Sequence, residues 1–289
     1  MKNLKTFYYP ETIDEVLDIL RDETVKTAMV AGGTNISLSN DTTVEALVDI
    51  TRAGLSYIKE EGGYIVIGAT TTVRELMDSE IIKGMADGVL AHASTLIATH
   101  PLRNAITIGG NIVQLRIWSD LPTVLLALDA QVKVKGYEDR VIPAKDFFAK
   151  HPQKQLDPDE IVTEIVFPKA AEKSGAEFIK ISRTKGDYAI ISLGCYLEYE
   201  NEKCTLARIA IGSALNYPKR ARGAEAILEG NEITEDLVNS AAQKAMEEIK
   251  PISNMWGSAK YKKQLIKNLT RKAILSCNKK AIDKVGSAT

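Results

Sequence analysis

Cysteine is scarce in this 289-residue chain, limited to Cys195, Cys204 and Cys277. Their odd number, wide spacing and lack of any C-x-x-C support neither a disulfide framework nor a zinc or iron–sulfur site. Histidine is equally rare, and His92, His100 and His151 offer no H-x-x-x-H pairing for a metal. No apolar run is long enough to span a membrane, and the opening residues, Met1 to Asp14, show no export signal, so a cytoplasmic protein is expected. The formal net charge is only −1, without the broad basic field that nucleic-acid binding needs. Signatures of covalent catalysis are missing too: there is no G-x-S-x-G and no cysteine beside a histidine in a recognisable motif. Neither G-x-G-x-x-G nor G-x-x-x-x-G-K-[ST] occurs, which disfavours a Rossmann site and a P-loop.

What remains is an ordinary globular composition, 45% hydrophobic and 26% charged, with enough chain for two domains or one large one. Two segments stand out, Val30-Ala31-Gly32-Gly33-Thr34-Asn35 and Thr107-Ile108-Gly109-Gly110-Asn111, each placing a double glycine at the end of an apolar run. Glycine reaches positive φ at little cost, and successive N–H groups freed by such a turn form a concave nest for an anion. Thr34 and Thr107 add hydroxyl donors, and Asn35 and Asn111 add amide donors. Two such turns could hold the two halves of a pyrophosphate, which points to a dinucleotide. The plain alternative is that they are tight turns and nothing more, as the third pair, Gly62-Gly63, reads in a hairpin.

The order of motifs resembles the FAD-binding medium subunit of the xanthine dehydrogenase and carbon monoxide dehydrogenase group of molybdenum hydroxylases, over essentially the whole chain. The first segment is similar to that family's A-G-G-T-[DS] turn, and Leu102-Arg103-Asn104 with residues 107–111 is similar to its Q-I-R-N-x-x-T-I-G-G-N signature. Ser119-Asp120-Leu121-Pro122 and Leu126-Ala127-Leu128-Asp129-Ala130 fall where the family has S-D-x-x-P and L-x-A-L-D-A. Three departures are His100-Pro101 in place of the usual Gln, Asn35 in place of Asp or Ser, and Gln114-Leu115-Arg116-Ile117-Trp118 in a stretch the family fills with small residues and a proline.

Along the chain, Ile13, Val16, Leu17 and Leu20 predict a helix, and residues 27–31 and 44–50 predict buried strands. Tyr57 to Ile67 reads as a hairpin, and residues 73–77 and 86–98 read as helices, the latter ending at or before His100 because of Pro101. Pro122 starts a helix, residues 132–134 and 141–143 form a second hairpin, and residues 160–167 form a last strand before the polar stretch 169–175. Beyond it, residues 178–181, 189–199 and 205–212 predict antiparallel strands, followed by helices from Ala221, Glu235 and Ser258, with Tyr261-Lys262-Lys263 where the family tends to have Tyr-Arg. The fold class expected is α+β. The resemblance implies a vanillyl-alcohol-oxidase/MurB-like FAD-binding domain over 1–170, made of a small α/β unit (about 1–54) and a larger subdomain (55–170). A C-terminal domain of antiparallel sheet plus helices follows over 175–289.

The resemblance implies FAD contacts from Met29, Val30, Ala31, Gly32, Gly33, Thr34, Asn35 and Ile36, from Ile97, Ala98 and His100, and from Thr107, Ile108, Gly109, Gly110 and Asn111. Asp120, Val162, Ile165, Lys180 and Tyr188 complete the set. Read without the family, Asp120 is either a helix cap or an acceptor for a ribityl hydroxyl, Lys180 an outward strand lysine or a flavin contact, and Tyr188 core or an aromatic shield. No catalytic residue is expected in this chain, since a flavin carries its own electron chemistry. The implied partners are a [2Fe–2S] ferredoxin-like subunit, a molybdopterin-binding large subunit, and NAD(P) or another acceptor. Two other classes compete: an independent flavoenzyme of the vanillyl-alcohol-oxidase/MurB type, and a non-catalytic assembly subunit.

Overall fold

The computed structural model describes residues 3–38 and 41–286. Its first unit begins with a strand too short to leave a sequence pattern, β1 (Thr6–Tyr8), followed by α1 (Ile13–Leu20). Thr12 caps α1 by accepting from the Glu15 N–H, and the stripe predicted from the apolar spacing buries Val16 and Leu17. Strands β2 (Thr27–Val30) and β3 (Ala46–Asp49) complete a parallel sheet in the order β1-β3-β2, so β2 delivers its carboxyl end directly into the first glycine turn.

The second unit opens with the expected hairpin, β4 (Ile58–Glu61) and β5 (Tyr64–Gly68), with positive φ at both Gly62 and Gly63. Helices α2 (Val73–Asp78), α3 (Glu80–Gly84), α4 (Val89–Thr95), α5 (His100–Arg103), α6 (Ile108–Gln114) and α7 (Leu121–Ala127) follow. The helix predicted across 86–98 is shorter and ends at Thr95, while Pro101 lies in the first turn of α5, where its missing N–H costs nothing. Strands β6 (Gln131–Lys135) and β7 (Arg140–Pro143), helix α8 (Ala144–Phe147) and strand β8 (Ile161–Pro168) close an antiparallel sheet of order β4-β5-β8-β6-β7. The last strand in sequence thus fills the centre of the sheet, which buries Ile165 and Phe167 completely or nearly so.

The third unit is an antiparallel sheet of β9 (Ser174–Ile181), β10 (Ile191–Glu200), β11 (Lys203–Gly212) and the two-residue β12 (Lys219–Arg220), in the order β12-β11-β10-β9. Helices α9 (Arg222–Leu228), α10 (Glu235–Glu248) and α11 (Ala259–Gly286) cover one face. β10 is buried along almost its whole length because both faces are covered. Leu193, Cys195 and Leu197 join the core under α10 and α11, while Tyr196 faces the core shared with α7. Close approach of α7 explains Gly212: a Cβ there would lie 2.0 Å from Thr123 Oγ1. All three cysteines are buried and unpaired, and among the described residues no group of three His, Cys, Asp or Glu side chains is placed to hold a metal.

Lys262 is a cost that this core carries. It is fully buried, donates to the Ser213 carbonyl at 2.9 Å, and its pKa is pushed down by burial. A lysine depressed in the folded state binds fewer protons there than in the unfolded chain, so stability should rise with pH through the window between the depressed value and the usual value of about 10.4. Lys262→Met should flatten that rise in urea unfolding between neutral and alkaline pH. An unchanged slope in the variant would assign the pH dependence to other groups.

Candidate flavin site

A cleft of about 650 Å³ opens where the three units meet. One wall is the turn after β2, a second is the stretch from the end of α4 to the loop after α6, and the third is β9 with the loop that follows it. In the first glycine turn Gly33 has φ +68, and none of the N–H groups of Gly32, Gly33, Thr34 and Asn35 meets an acceptor among the described residues. Unspent amides around a positive φ are what an anion nest requires. Gly32 has a different reason to be glycine: a Cβ there would stand 1.5 Å from the Ala105 carbonyl oxygen.

The second glycine segment is not a turn of that kind. Residues 108–114 are helical, and the N–H groups of Gly109, Gly110 and Asn111 are already spent on Ala69 O, Thr107 Oγ1 and Thr107 O. The expectation of a second backbone nest is corrected: strand-to-helix geometry uses these amides internally. What this segment offers the cleft is the Thr107 hydroxyl, the Asn111 side chain and the bare backbone at Gly110. Gly109 packs on Ala69, where a Cβ would come within 2.7 Å of the carbonyl oxygen, and Ile108 is core.

At the far side, Asp120 and Lys180 form an ion pair at 2.8 Å with side chains 2% and 5% exposed. Asp120 begins α7 through its backbone only, since its carboxylate caps no N–H. That resolves the choice left open by the sequence against a cap. Lys180 also donates to Leu96 O at 2.9 Å, which commits two of its three N–H bonds. Burial, opposed by the Lys180 charge, pushes the Asp120 carboxyl up to about 6. Among the described residues Asp120 Oδ1 meets no partner, and neither does the buried Asn111 Oδ1. Both residues line the cleft, so each presents an acceptor that a ligand hydroxyl or amine would satisfy.

The loop at the end of α4 is held by Arg103, whose Nη1 donates to Ile97 O at 2.8 Å and Ala98 O at 2.9 Å. These contacts fix Ala98 at φ +45, against the cleft. Arg116, from the stretch that departs from the family pattern, reaches across to Asn35 Oδ1 at 2.5 Å and ties the two glycine segments together.

Of the residues expected at the site, 29–36, Ile97, Ala98, Thr107, Gly110, Asn111, Asp120, Lys180 and Tyr188 line the cleft. His100, Ile108, Gly109, Val162 and Ile165 do not. His100 is exposed on α5 and meets Arg74 at 3.3 Å, while Val162 and Ile165 are buried on β8. Sequence reading missed Leu102, Ala105, Ile106, Gln114, Arg116, Trp118, Ser119, Gly186 and Asp187. Arg116 and Trp118 carried a signal, as large side chains where the family has small ones. The others lie within a few residues of expected positions.

An extended cleft with free amides at one wall and orphaned acceptors at the other fits a nucleotide-bearing, hydroxyl-rich cofactor such as FAD. Comparison with known proteins agrees. Residues 2–170 match the family described as FAD binding domain in molybdopterin dehydrogenase, and residues 176–277 match the CO dehydrogenase flavoprotein C-terminal domain. The 6-hydroxypseudooxynicotine dehydrogenase complex subunit alpha of Paenarthrobacter nicotinovorans is 31% identical, with 91% of each chain covered. The carbon monoxide dehydrogenase medium chain of Hydrogenophaga pseudoflava is 28% identical over 93% of this chain and 95% of that one. A solved structure of carbon monoxide dehydrogenase from the same organism superposes with a TM-score of 0.88 at 29% identity, covering 94% of this chain and 96% of its own. Quinoline 2-oxidoreductase from Pseudomonas putida 86 gives 0.86 at 26%, covering 96% and 97%. The chain belongs to the FAD-binding flavoprotein subunits of the molybdopterin dehydrogenase family.

Proposed function

We propose that this chain is the electron-transfer subunit of a molybdenum hydroxylase complex, taking electrons from a [2Fe–2S] subunit and passing them to NAD(P) or another acceptor, with substrate oxidation on a molybdopterin-binding large subunit. Residues 1–170 are the FAD-binding domain in this reading, and 175–289 the C-terminal flavoprotein domain. The observation that carries it is the cleft, with unspent amides at the first glycine turn and a buried Asp120–Lys180 pair whose Oδ1 still lacks a donor. Relatives named as a medium chain and as a subunit of a complex support an assembled rather than a solitary protein.

FAD supplies the exchange of electrons, and the chain supplies position. The amides of residues 32–35 hold the pyrophosphate, Thr107 and Asn111 complete its binding, and Asp120 with Lys180 accepts and donates hydrogen bonds at the other wall. Arg103 keeps the Ile97–Ala98 backbone in place. Among the described residues no helix is long and apolar enough to cross a membrane.

The test is FAD binding by the purified chain, followed by its absorbance band and by desalting. The wild type should retain one FAD, and Gly110→Val, whose Cβ would press on the cleft-lining Thr107 hydroxyl at 2.9 Å, should lose it while keeping its far-UV circular dichroism. A chain that stays colourless with added FAD would select the assembly-subunit reading. A chain that alone oxidises heteroaromatic or aldehyde probes with a dye acceptor would select the independent flavoenzyme.

A further inference from the structure

The chain has two tryptophans, and the fold brings both to one place. Trp118, in the loop after α6, lies 4.5 Å from Tyr188 between ring centroids, and Trp256 lies 5.3 Å from Trp118 and 5.9 Å from Tyr188. The three residues come from three separate connections and form a closed aromatic triangle. Trp118 and Tyr188 line the cleft, whereas Trp256 backs them from outside it.

The backbone that carries two of the rings is fixed by hydrogen bonds. Trp256 sits in a tight turn closed by Asn254 N–H to Gly257 O and Gly257 N–H to Asn254 O. Tyr188 is held through its N–H to Asp187 Oδ1 at 2.7 Å, just after Gly186, whose φ of +86 turns the loop against Ala98. Tyr188 is still 49% exposed, so one face looks to solvent while the residue walls the cleft. Charged side chains flank this wall: Arg116, bonded to Asn35, at the cleft, and in the loop of Tyr188 the exposed Lys185 and an exposed Arg183 that pairs with the cleft-lining Asp187 at 3.4 Å.

Resting on the reading of the cleft as the flavin site, we propose that Trp256 is a positioning residue for acceptor choice: with Trp118 it pins Tyr188 as a closed wall, which a nicotinamide dinucleotide must part to lay its ring beside the flavin. A nicotinamide ring needs a flat aromatic surface, which the parted cluster would provide, and the pyrophosphate between its two nucleosides needs cations, which Lys185 would supply together with Arg183 and Arg116 once they exchange Asp187 and Asn35 for phosphate oxygens. An adenine nucleotide without the nicotinamide can use the cations and leave the rings closed.

The experiment compares NAD+ with ADP-ribose, which lacks the nicotinamide ring, on the FAD-loaded chain by equilibrium dialysis. In Trp256→Ala the wall has lost its buttress, so NAD+ should bind about tenfold more tightly, the equivalent of one or two aromatic contacts no longer broken on binding. ADP-ribose affinity should be unchanged, and Trp256→Phe should restore the wild-type value for NAD+. Tryptophan emission gives a second reading, because both fluorophores belong to the cluster: NAD+ should shift it in the wild type and ADP-ribose should not. Equal changes for both ligands in Trp256→Ala, no change for either, or no NAD+ binding at all would overturn the proposal. A wild-type chain without a flavin band would instead overturn the cofactor reading on which it rests.

Discussion

Lys180→Met should destabilise the protein by about 3–5 kcal/mol at neutral pH, the usual consequence of leaving one member of a buried ion pair without its partner. Asp120 would keep a desolvated carboxylate with Oδ1 already unpartnered and Oδ2 now abandoned as well. Its pKa, raised to about 6 while Lys180 still opposes the effect of burial, would climb further. The sign of the pH dependence follows. An acid whose folded-state pKa lies above its unfolded value holds more protons when folded, so its contribution to stability is greatest in acid and falls as pH rises through the window between the two values. In the variant that window extends upward from the ordinary aspartate range through neutrality. Urea unfolding at pH 5.5 and pH 8 should therefore show a far larger deficit at the higher pH, and Lys180→Met with Asp120→Asn together should recover much of it. A deficit of equal size at both pH values would mean that lost packing of the lysine stem, not the stranded carboxylate, is responsible.

The same pair shows what can and cannot be read from sequence. Asp120 was legible as a residue before a helix-starting proline, and Lys180 as a lysine in an apolar strand, but each had an ordinary explanation. Their meeting depends on β9 lying beside the end of α4 and the start of α7, a contact between units that no local pattern encodes. Elements with strong periodicity were legible: α1, the two hairpins and the strands β10 and β11 lie close to where spacing placed them, whereas β9 begins at Ser174, four residues before the expected start and inside the polar stretch 169–175. β1 and β12, of three and two residues, are too short to leave a pattern. The glycine segments were visible but mechanistically alike only in sequence. One opens a turn with positive φ, and the other lies within the first turn of a helix, where its amides are consumed. Conversely, the stretch 114–118 was legible only as a departure, and its Arg116 and Trp118 prove to be walls of the cleft.

Gly32→Ala should be the more disruptive of the two changes in the first glycine turn, although Gly33 is the one with positive φ. At Gly33 an added Cβ has room, its nearest neighbour being Val30 Cγ2 at 3.9 Å, so Gly33→Ala meets only the cost of a left-handed conformation, about 1–2 kcal/mol. At Gly32 the Cβ would occupy the Ala105 carbonyl, 1.5 Å from its oxygen, and the obstacle is backbone at the end of α5 that no rotamer can clear. The turn must back away from the α5–α6 connection. That movement separates the amides of residues 32–35 from Thr107 and Asn111 and stretches the Arg116–Asn35 tie, so the cleft loses the spacing on which the proposed pyrophosphate site depends. Stability should fall by up to about 3 kcal/mol, the upper part of the range for overpacking against an unyielding neighbour. FAD should wash out of Gly32→Ala on desalting while Gly33→Ala keeps a measurable share. Retention of full FAD by Gly32→Ala, with an unfolding midpoint equal to the wild type, would show that the two glycine segments do not bear on each other as the 1.5 Å approach requires.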